Sequence, residues 1–142
     1  MRAALLLVCV AGVIASAQSA KTFKGRLSPV PIDVTMQATV AGSGSVTASL
    51  AGAKLSINGT FDGLKSPATT AKVRKSPVRG VRGPELFTLT VSPAASGTIS
   101  GSFDLTPQQV ADLQAGRLYV QIHSEKAPDG NLWGWLLPLE KR

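Results

Sequence analysis

The residues from Ser45 to Ile57, with the sequence SVTASLAGAKLSI, decide the fold class. Apolar and polar side chains alternate on both sides of a central Ala51-Gly52-Ala53 turn, and the apolar positions are Val46, Ala48, Leu50, Leu55 and Ile57. Because successive side chains of a β-strand point to opposite faces, this alternation predicts strands with one buried face. The glycine-containing turn between the two runs predicts that the chain reverses there.

The same alternation recurs along the chain, in residues 86–91, 98–103 and 118–123, with a first strand near 23–27. Residues 132–137 are apolar on both faces apart from Gly134, which predicts a strand covered on both sides. Turn signals separate the runs, at Asp62-Gly63, Ser92-Pro93 and Pro128-Asp129-Gly130. Six or seven short strands joined by turns predict an all-β fold, either an antiparallel sandwich or a barrel.

One short helix is predicted near residues 107–115. Thr106 offers an N-cap hydroxyl, Pro107 suits the first helical position, Gln109 completes a capping box, and Gly116 supplies the stop. The 142 residues are 44% hydrophobic, which suits one folded domain, and no repeat or linker divides them.

The first residues have the layout of a secretory signal peptide. Arg2 precedes an apolar run that is too short to span a bilayer, and Ala15-Ser16-Ala17 matches a cleavage site. We therefore expect a signal peptide over 1–17 and a single domain over 18–142, exported to a periplasm or secreted. The only cysteine, Cys9, lies in the signal segment, so the mature domain is expected to form no disulfide.

Four stretches taken together resemble the CHRD domain, a module named after chordin that many exported bacterial proteins contain. They are GTFDGLKSPATTA over residues 59–71, GTISGSFDLT over 97–106, LQAGRLYVQIHS over 113–124 and DGNLWG over 129–134. The resemblance covers roughly residues 23–137. It implies an antiparallel β-sandwich similar to the immunoglobulin and copper-zinc superoxide dismutase folds.

The chain departs from the family pattern at two places. Family members usually carry His-Ile-His where this chain has Lys72-Val73-Arg74, and a third family histidine matches His123. Near the end, Trp133-Gly134-Trp135 replaces a segment that usually contains arginine and glycine. A metal site would need more nitrogen or sulfur ligands than one histidine supplies, so we predict no metal and no cofactor.

Catalysis finds little support in the sequence. A Ser-His-acid triad would have to use His123, and no serine lies in a Gly-x-Ser-x-Gly turn. We therefore predict a non-catalytic binding or envelope-associated module. A metal-binding or superoxide-dismutase-like remnant is one alternative, and a structural protein without a dedicated ligand is another.

Positive charge is concentrated between residues 65 and 82. The 18 residues contain no acid and six cations, Lys65, Lys72, Arg74, Lys75, Arg79 and Arg82. Prolines and glycines predict that much of this stretch is loop, and an unopposed cationic loop attracts anionic polymers. Lys72, Arg74, Lys75, Arg79 and Arg82 are the predicted anion-binding residues, and the alternative is a solvated loop that only confers solubility.

The expected partners are acidic glycans, envelope lipid or an extracellular protein. Nucleic acid is a poor target outside the cell, and no aromatic side chains interleave with the charges. Trp133 and Trp135 lie two apart on one predicted strand and hence share a face. With Tyr119 from a neighbouring strand, they either pack in the core or form an exposed aromatic platform for a sugar ring or a protein.

Overall fold

The computed structural model describes residues 20–31 and 34–139, and these form nine β-strands, one α-helix and a short 3-10 helix over Val34–Met36. The elements are β1 (Lys21–Pro29), β2 (Ser43–Ala51), β3 (Lys54–Asp62), β4 (Ala68–Lys75), β5 (Glu85–Val91), β6 (Gly97–Asp104), α1 (Pro107–Gln114), β7 (Leu118–Ser124), β8 (Ala127–Trp135) and β9 (Leu137–Pro138). The predicted signal peptide, residues 1–17, lies outside the described residues.

Eight strands close into an antiparallel barrel in the order β1-β2-β3-β6-β5-β4-β7-β8, and β9 pairs with β1. Strands β1 and β5 each change pairing partner along their length. Strand β1 pairs with β2 over most of its length and with β8 through Ser28 and Pro29, whereas β5 pairs with β4 and reaches β6 through Thr90 and Val91. The all-β antiparallel prediction is therefore confirmed, and of the two arrangements that the alternation allowed, the barrel forms. The immunoglobulin-like sandwich is not confirmed, because β1 and β5 each join strands on both sides of the ring.

The alternation seen in the sequence produces the core. The alternating apolar positions of β2 and β3 are fully or almost fully buried, and they pack with inward residues of the other strands. Central members of this core are Phe23, Leu27, Leu55, Ile57, Ile99, Leu118 and Ile122. Because a fully buried side chain of this size stabilises a fold by about 1.5–3 kcal/mol, the core is the main source of stability.

Two parts of the sequence prediction are wrong. Much of the stretch 65–82 was expected to be loop, but its residues 68–75 form strand β4 with Ala71 and Val73 facing the core. A β-bulge between Ala68 and Thr70 interrupts the pairing with β7, so the alternation of β4 is broken at its start. The predicted turn at 128–130 also lies inside a strand, because β8 begins at Ala127 and the chain reverses at residues 125–126.

Helix α1 agrees with its prediction to within one residue at its end. The Thr106 hydroxyl accepts from the Gln109 backbone N–H at 3.2 Å, and the Gln109 side chain accepts from the Thr106 N–H at 3.0 Å. Gly116 follows with φ +74°. Within the described ranges, no helix has the length and apolar character that crossing a bilayer requires.

Candidate functional site

Five of the predicted site residues lie on the outer surface of three neighbouring strands, β4, β7 and β8, and they are Lys72, Arg74, Tyr119, Trp133 and Trp135. The inward positions of these strands enter the core, so the intervening side chains project to the opposite side. Cross-strand pairing arranges them in two rows, Arg74-Tyr119-Trp135 and Lys72-Gln121-Trp133, and His123 lies beside Thr70 at one end. We call this surface the β4-β7-β8 face.

The three aromatic residues of the β4-β7-β8 face contact one another. The ring of Tyr119 stacks on Trp135 with 4.8 Å between centroids, and Trp133 meets Trp135 edge to face at 4.7 Å. Tyr119 is fully buried, whereas both tryptophans are partly exposed. The cluster lies outside the main core, and Trp133 packs on a small second core of Val30, Val40 and Ala127.

Two of the five predicted anion-binding residues form ion pairs with protein carboxylates, which corrects the expectation of an unopposed cationic loop. Lys72, Arg74 and Lys75 lie in strand β4. Lys72 Nζ is 2.7 Å from a Glu85 carboxylate oxygen, and Lys75 Nζ is 3.0 Å from Asp112 Oδ2. The hydrogen bond from Lys72 holds the pKa of Glu85 below its ordinary value. These two lysines are therefore largely neutralised.

The remaining two cations, Arg79 and Arg82, are exposed on the segment between β4 and β5. We call residues 76–84 the strap, because hydrogen bonds attach it to all three strands of the face. Arg74 Nη1 donates to the Gly83 carbonyl at 3.1 Å, the Gly83 N–H donates to the Tyr119 hydroxyl at 3.0 Å, and Arg82 Nη1 donates to the Asp129 carbonyl at 3.1 Å. The strap thereby covers Tyr119 and presents its own charges to solvent.

His123 is the histidine of the face, and it is 8% exposed. Its Nδ1 lies 2.8 Å from the Pro128 carbonyl oxygen, a contact that places the proton of the neutral ring on Nδ1. Burial lowers the pKa of His123, and the charges of Arg74, Lys72 and Arg82 lower it further, against the opposing effect of the Pro128 hydrogen bond. The ring is therefore neutral at neutral pH.

Three buried polar atoms of the face have no hydrogen-bond partner among the described residues. They are two donors, Arg74 Nε and Trp135 Nε1, and one acceptor, His123 Nε2. The two donors flank Tyr119 in the same row. No cluster of three or more His, Cys, Asp or Glu side chains able to hold a metal ion occurs within the described part of the chain. The unpartnered buried atoms of the face are thus two hydrogen-bond donors and one acceptor.

A second concave surface lies across the barrel, on the outside of β2, β3 and β6. This shallow hollow has a volume of about 480 Å³ and is lined mainly by hydroxyl groups, from Ser45, Thr47, Thr60, Thr98 and Ser100. Since no charged or aromatic side chain lines it, it offers a ligand fewer strong contacts than the β4-β7-β8 face.

Sequence reasoning missed the partners that neutralise the lysines. Glu85 and Asp112 lie outside the acid-free stretch, at the start of β5 and within α1. The alternation of Ala71, Lys72 and Val73 was the signal for strand β4, and recognising it would have placed Lys72 on an outer surface. Asp112 carried no comparable signal, because its burial depends on how α1 docks beside β4.

Comparison with known proteins gives one match. The model of the CHRD domain family matches residues 25–136, which include every strand from β2 to β8 and most of β1. Neither the curated proteins nor the solved structures contain a match to the chain.

Proposed function

The chain belongs to the CHRD domain family, and we propose that it is a non-catalytic binding module whose strap and β4-β7-β8 face bind an anionic ligand. We also propose that it acts outside the cytoplasm, in a periplasm or secreted. The signal-peptide pattern over residues 1–17 supports export, and the family membership agrees with it.

The observation that carries the proposal is the exposure of Arg79 and Arg82 on a segment fixed across an aromatic surface. Neither arginine forms an ion pair with any residue that the structure describes. Their charges therefore act on the surroundings, and a chain with a formal net charge of +7 adds a favourable long-range field. The half-exposed rings of Trp133 and Trp135 border the same surface.

We prefer this function to the metal-binding alternative because of what surrounds His123. The Nδ1 atom is committed to the Pro128 carbonyl, and the outward side chains at the family's histidine positions are Lys72 and Arg74. Lys72 is paired with Glu85, and Arg74, which has no ion-pair partner among the described residues, repels a metal ion there.

The test measures salt-dependent binding of the purified protein to two polyanions, a polyuronate and vesicles containing phosphatidylglycerol. The variant Arg79→Ser/Arg82→Ser removes the free charges of the strap and leaves the paired lysines in place. Lys24→Ser/Lys54→Ser is the matched control, because it removes the same charge from exposed positions of β1 and β3.

We expect the wild type to bind at least one polyanion, less tightly as salt rises. The arginine variant should lose most of this binding and the lysine control should retain it. Equal losses in both variants would show that net charge alone is responsible, and no binding by the wild type would refute the proposal.

A further inference from the structure

The tip of the strap, residues 78–82, exposes two apolar side chains within a cationic segment. Val78 is 66% exposed and Val81 is 49% exposed. An arginine follows each valine directly, Arg79 after Val78 and Arg82 after Val81. A charged loop that only keeps a protein soluble gains nothing from exposed valines. The tip therefore offers a ligand apolar area directly beside positive charge.

A tight turn holds the two valines side by side. The Val81 N–H donates to the Val78 carbonyl at 3.1 Å, and Gly80 has φ +91°, as the third residue of a type II turn requires. In such a turn the first and fourth Cα atoms are less than about 7 Å apart, so the valines form one small apolar patch. A Cβ built on Gly80 meets no atom within 4 Å, so this side of the turn faces open space.

The carbonyls of the two valines have hydrogen-bond partners inside the strap. The Val78 carbonyl accepts from Val81, and the buried Ser76 hydroxyl lies in hydrogen-bond contact with the carbonyls of both valines. Unpaired backbone groups are costly to remove from water, and internal partners reduce that cost. The carbonyls of the two valines therefore keep hydrogen-bond partners within the strap when the valine side chains enter an apolar layer.

Arg79 and Arg82 indicate that the apolar layer carries negative charge at its surface. Apolar side chains with adjacent cations are the combination that binds the interface of a membrane containing anionic lipids, since burial of apolar area and attraction to headgroups add. A soluble polyanion would use the arginines but would gain nothing from the valines.

We propose that the tip of the strap, residues 78–82, inserts its two valines into the interface of an anionic lipid membrane, with Arg79 and Arg82 on the headgroups. The inference rests on the proposed anion-binding function and names its ligand. The barrel then sits on the membrane with the β4-β7-β8 face close to the lipid surface.

The test compares Val78→Thr/Val81→Thr with the wild type on phosphatidylglycerol-containing vesicles, on pure phosphatidylcholine vesicles and on a polyuronate. Threonine keeps the shape of valine and all charges. Val34→Thr is the matched control, because Val34 is 82% exposed on the 3-10 helix and is not part of the strap. We expect the valine pair to weaken binding to anionic vesicles about tenfold, leave polyuronate binding unchanged, and Val34→Thr to have no effect.

A second measurement reports insertion directly. An environment-sensitive dye on Val78→Cys should shift to shorter wavelength when anionic vesicles are added, and the same dye on Val34→Cys should not. Unchanged vesicle binding by the valine pair, or no dye shift on bound protein, would overturn the insertion.

The two proposals fail in different ways. Polyuronate binding that depends on Arg79 and Arg82, with no vesicle binding, would leave the proposed function standing and refute the membrane as its ligand. Loss of neither kind of binding in the arginine variant would refute both.

Discussion

A Cβ atom added to Gly134 would lie 2.5 Å from the carbonyl oxygen of Arg26. Strands β1 and β8 approach closely at a second position, where a Cβ on Gly25 would lie 2.6 Å from the carbonyl oxygen of Trp135. Strands β1 and β8 therefore meet backbone to backbone where the barrel closes, and the two glycines allow the approach.

We predict that Gly134→Ala lowers the free energy of unfolding by about 3 kcal/mol, because the opposing backbone oxygen cannot rotate away from the added methyl group. Denaturant unfolding measures this change. Gly80→Ala is the comparison, since its methyl meets nothing and only the positive φ opposes it, at about 1 kcal/mol. A Gly134→Ala protein as stable as the wild type would contradict the close backbone approach of β1 and β8.

The Lys75–Asp112 ion pair leads to a stability prediction. Asp112 is 2% exposed, and apart from Lys75 its carboxylate accepts one hydrogen bond, from Gln108. Lys75→Ser leaves this carboxylate buried without its cation, so we expect a loss of about 1–3 kcal/mol in unfolding free energy. Adding Asp112→Asn to Lys75→Ser should recover part of the loss. If the double variant is no more stable than Lys75→Ser, the ion pair does not cause the effect.

His123 makes stability depend on pH. Burial and the nearby charges of Arg74, Lys72 and Arg82 lower the pKa of His123 in the folded protein. Between the folded pKa and the unfolded pKa, the unfolded chain therefore binds a proton at His123 and the folded protein does not. The free energy of unfolding should therefore be unaffected by His123 well above its ordinary pKa of 6.5 and should fall as the pH drops through that value towards the folded one. Denaturant unfolding over this range should show a weaker dependence in His123→Gln. Parallel curves for the two proteins would contradict a depressed pKa.

Tyr119→Phe should loosen the strap and leave the barrel intact. Phenylalanine keeps the ring stack on Trp135 but removes the oxygen that accepts the Gly83 N–H. A hydrogen bond worth about 1 kcal/mol corresponds to roughly a fivefold rise in the open population. Trypsin should cleave after Arg79 and Arg82 faster by about this factor, while denaturant unfolding changes little. An unchanged cleavage rate would show that the hydroxyl does not anchor the strap.

The elements that could be predicted from the sequence are those specified by local pattern. The alternation of β2 and β3 fixes which side chains are buried, and the reciprocal hydrogen bonds of Thr106 and Gln109 fix where α1 begins. Both depend on residues a few positions apart. The closure of the barrel depends on β1 changing partner from β2 to β8 near Leu27, and no local pattern marks that change.

The arrangement of the side chains in the candidate site could not be predicted from the sequence. Tyr119 lies on the outside of the barrel and is nevertheless fully buried, because the strap returns across it to place Gly83 on its hydroxyl. Alternation assigns a side chain to a face of a strand, yet it cannot say what covers that face. The pairing of Lys72 with Glu85 is equally non-local, since it requires β4 and β5 to be neighbours.

Strand β1, which pairs with both β2 and β8, also constrains the order in which the barrel can fold. Its partner in β8 lies about 100 residues later in the chain, so Ser28 leaves the ribosome long before Trp133 exists to pair with it. Contacts this distant in sequence make folding slow, because a long loop must close before they form. The N-terminal strand therefore keeps part of one edge unpaired until nearly the whole chain has emerged from the ribosome.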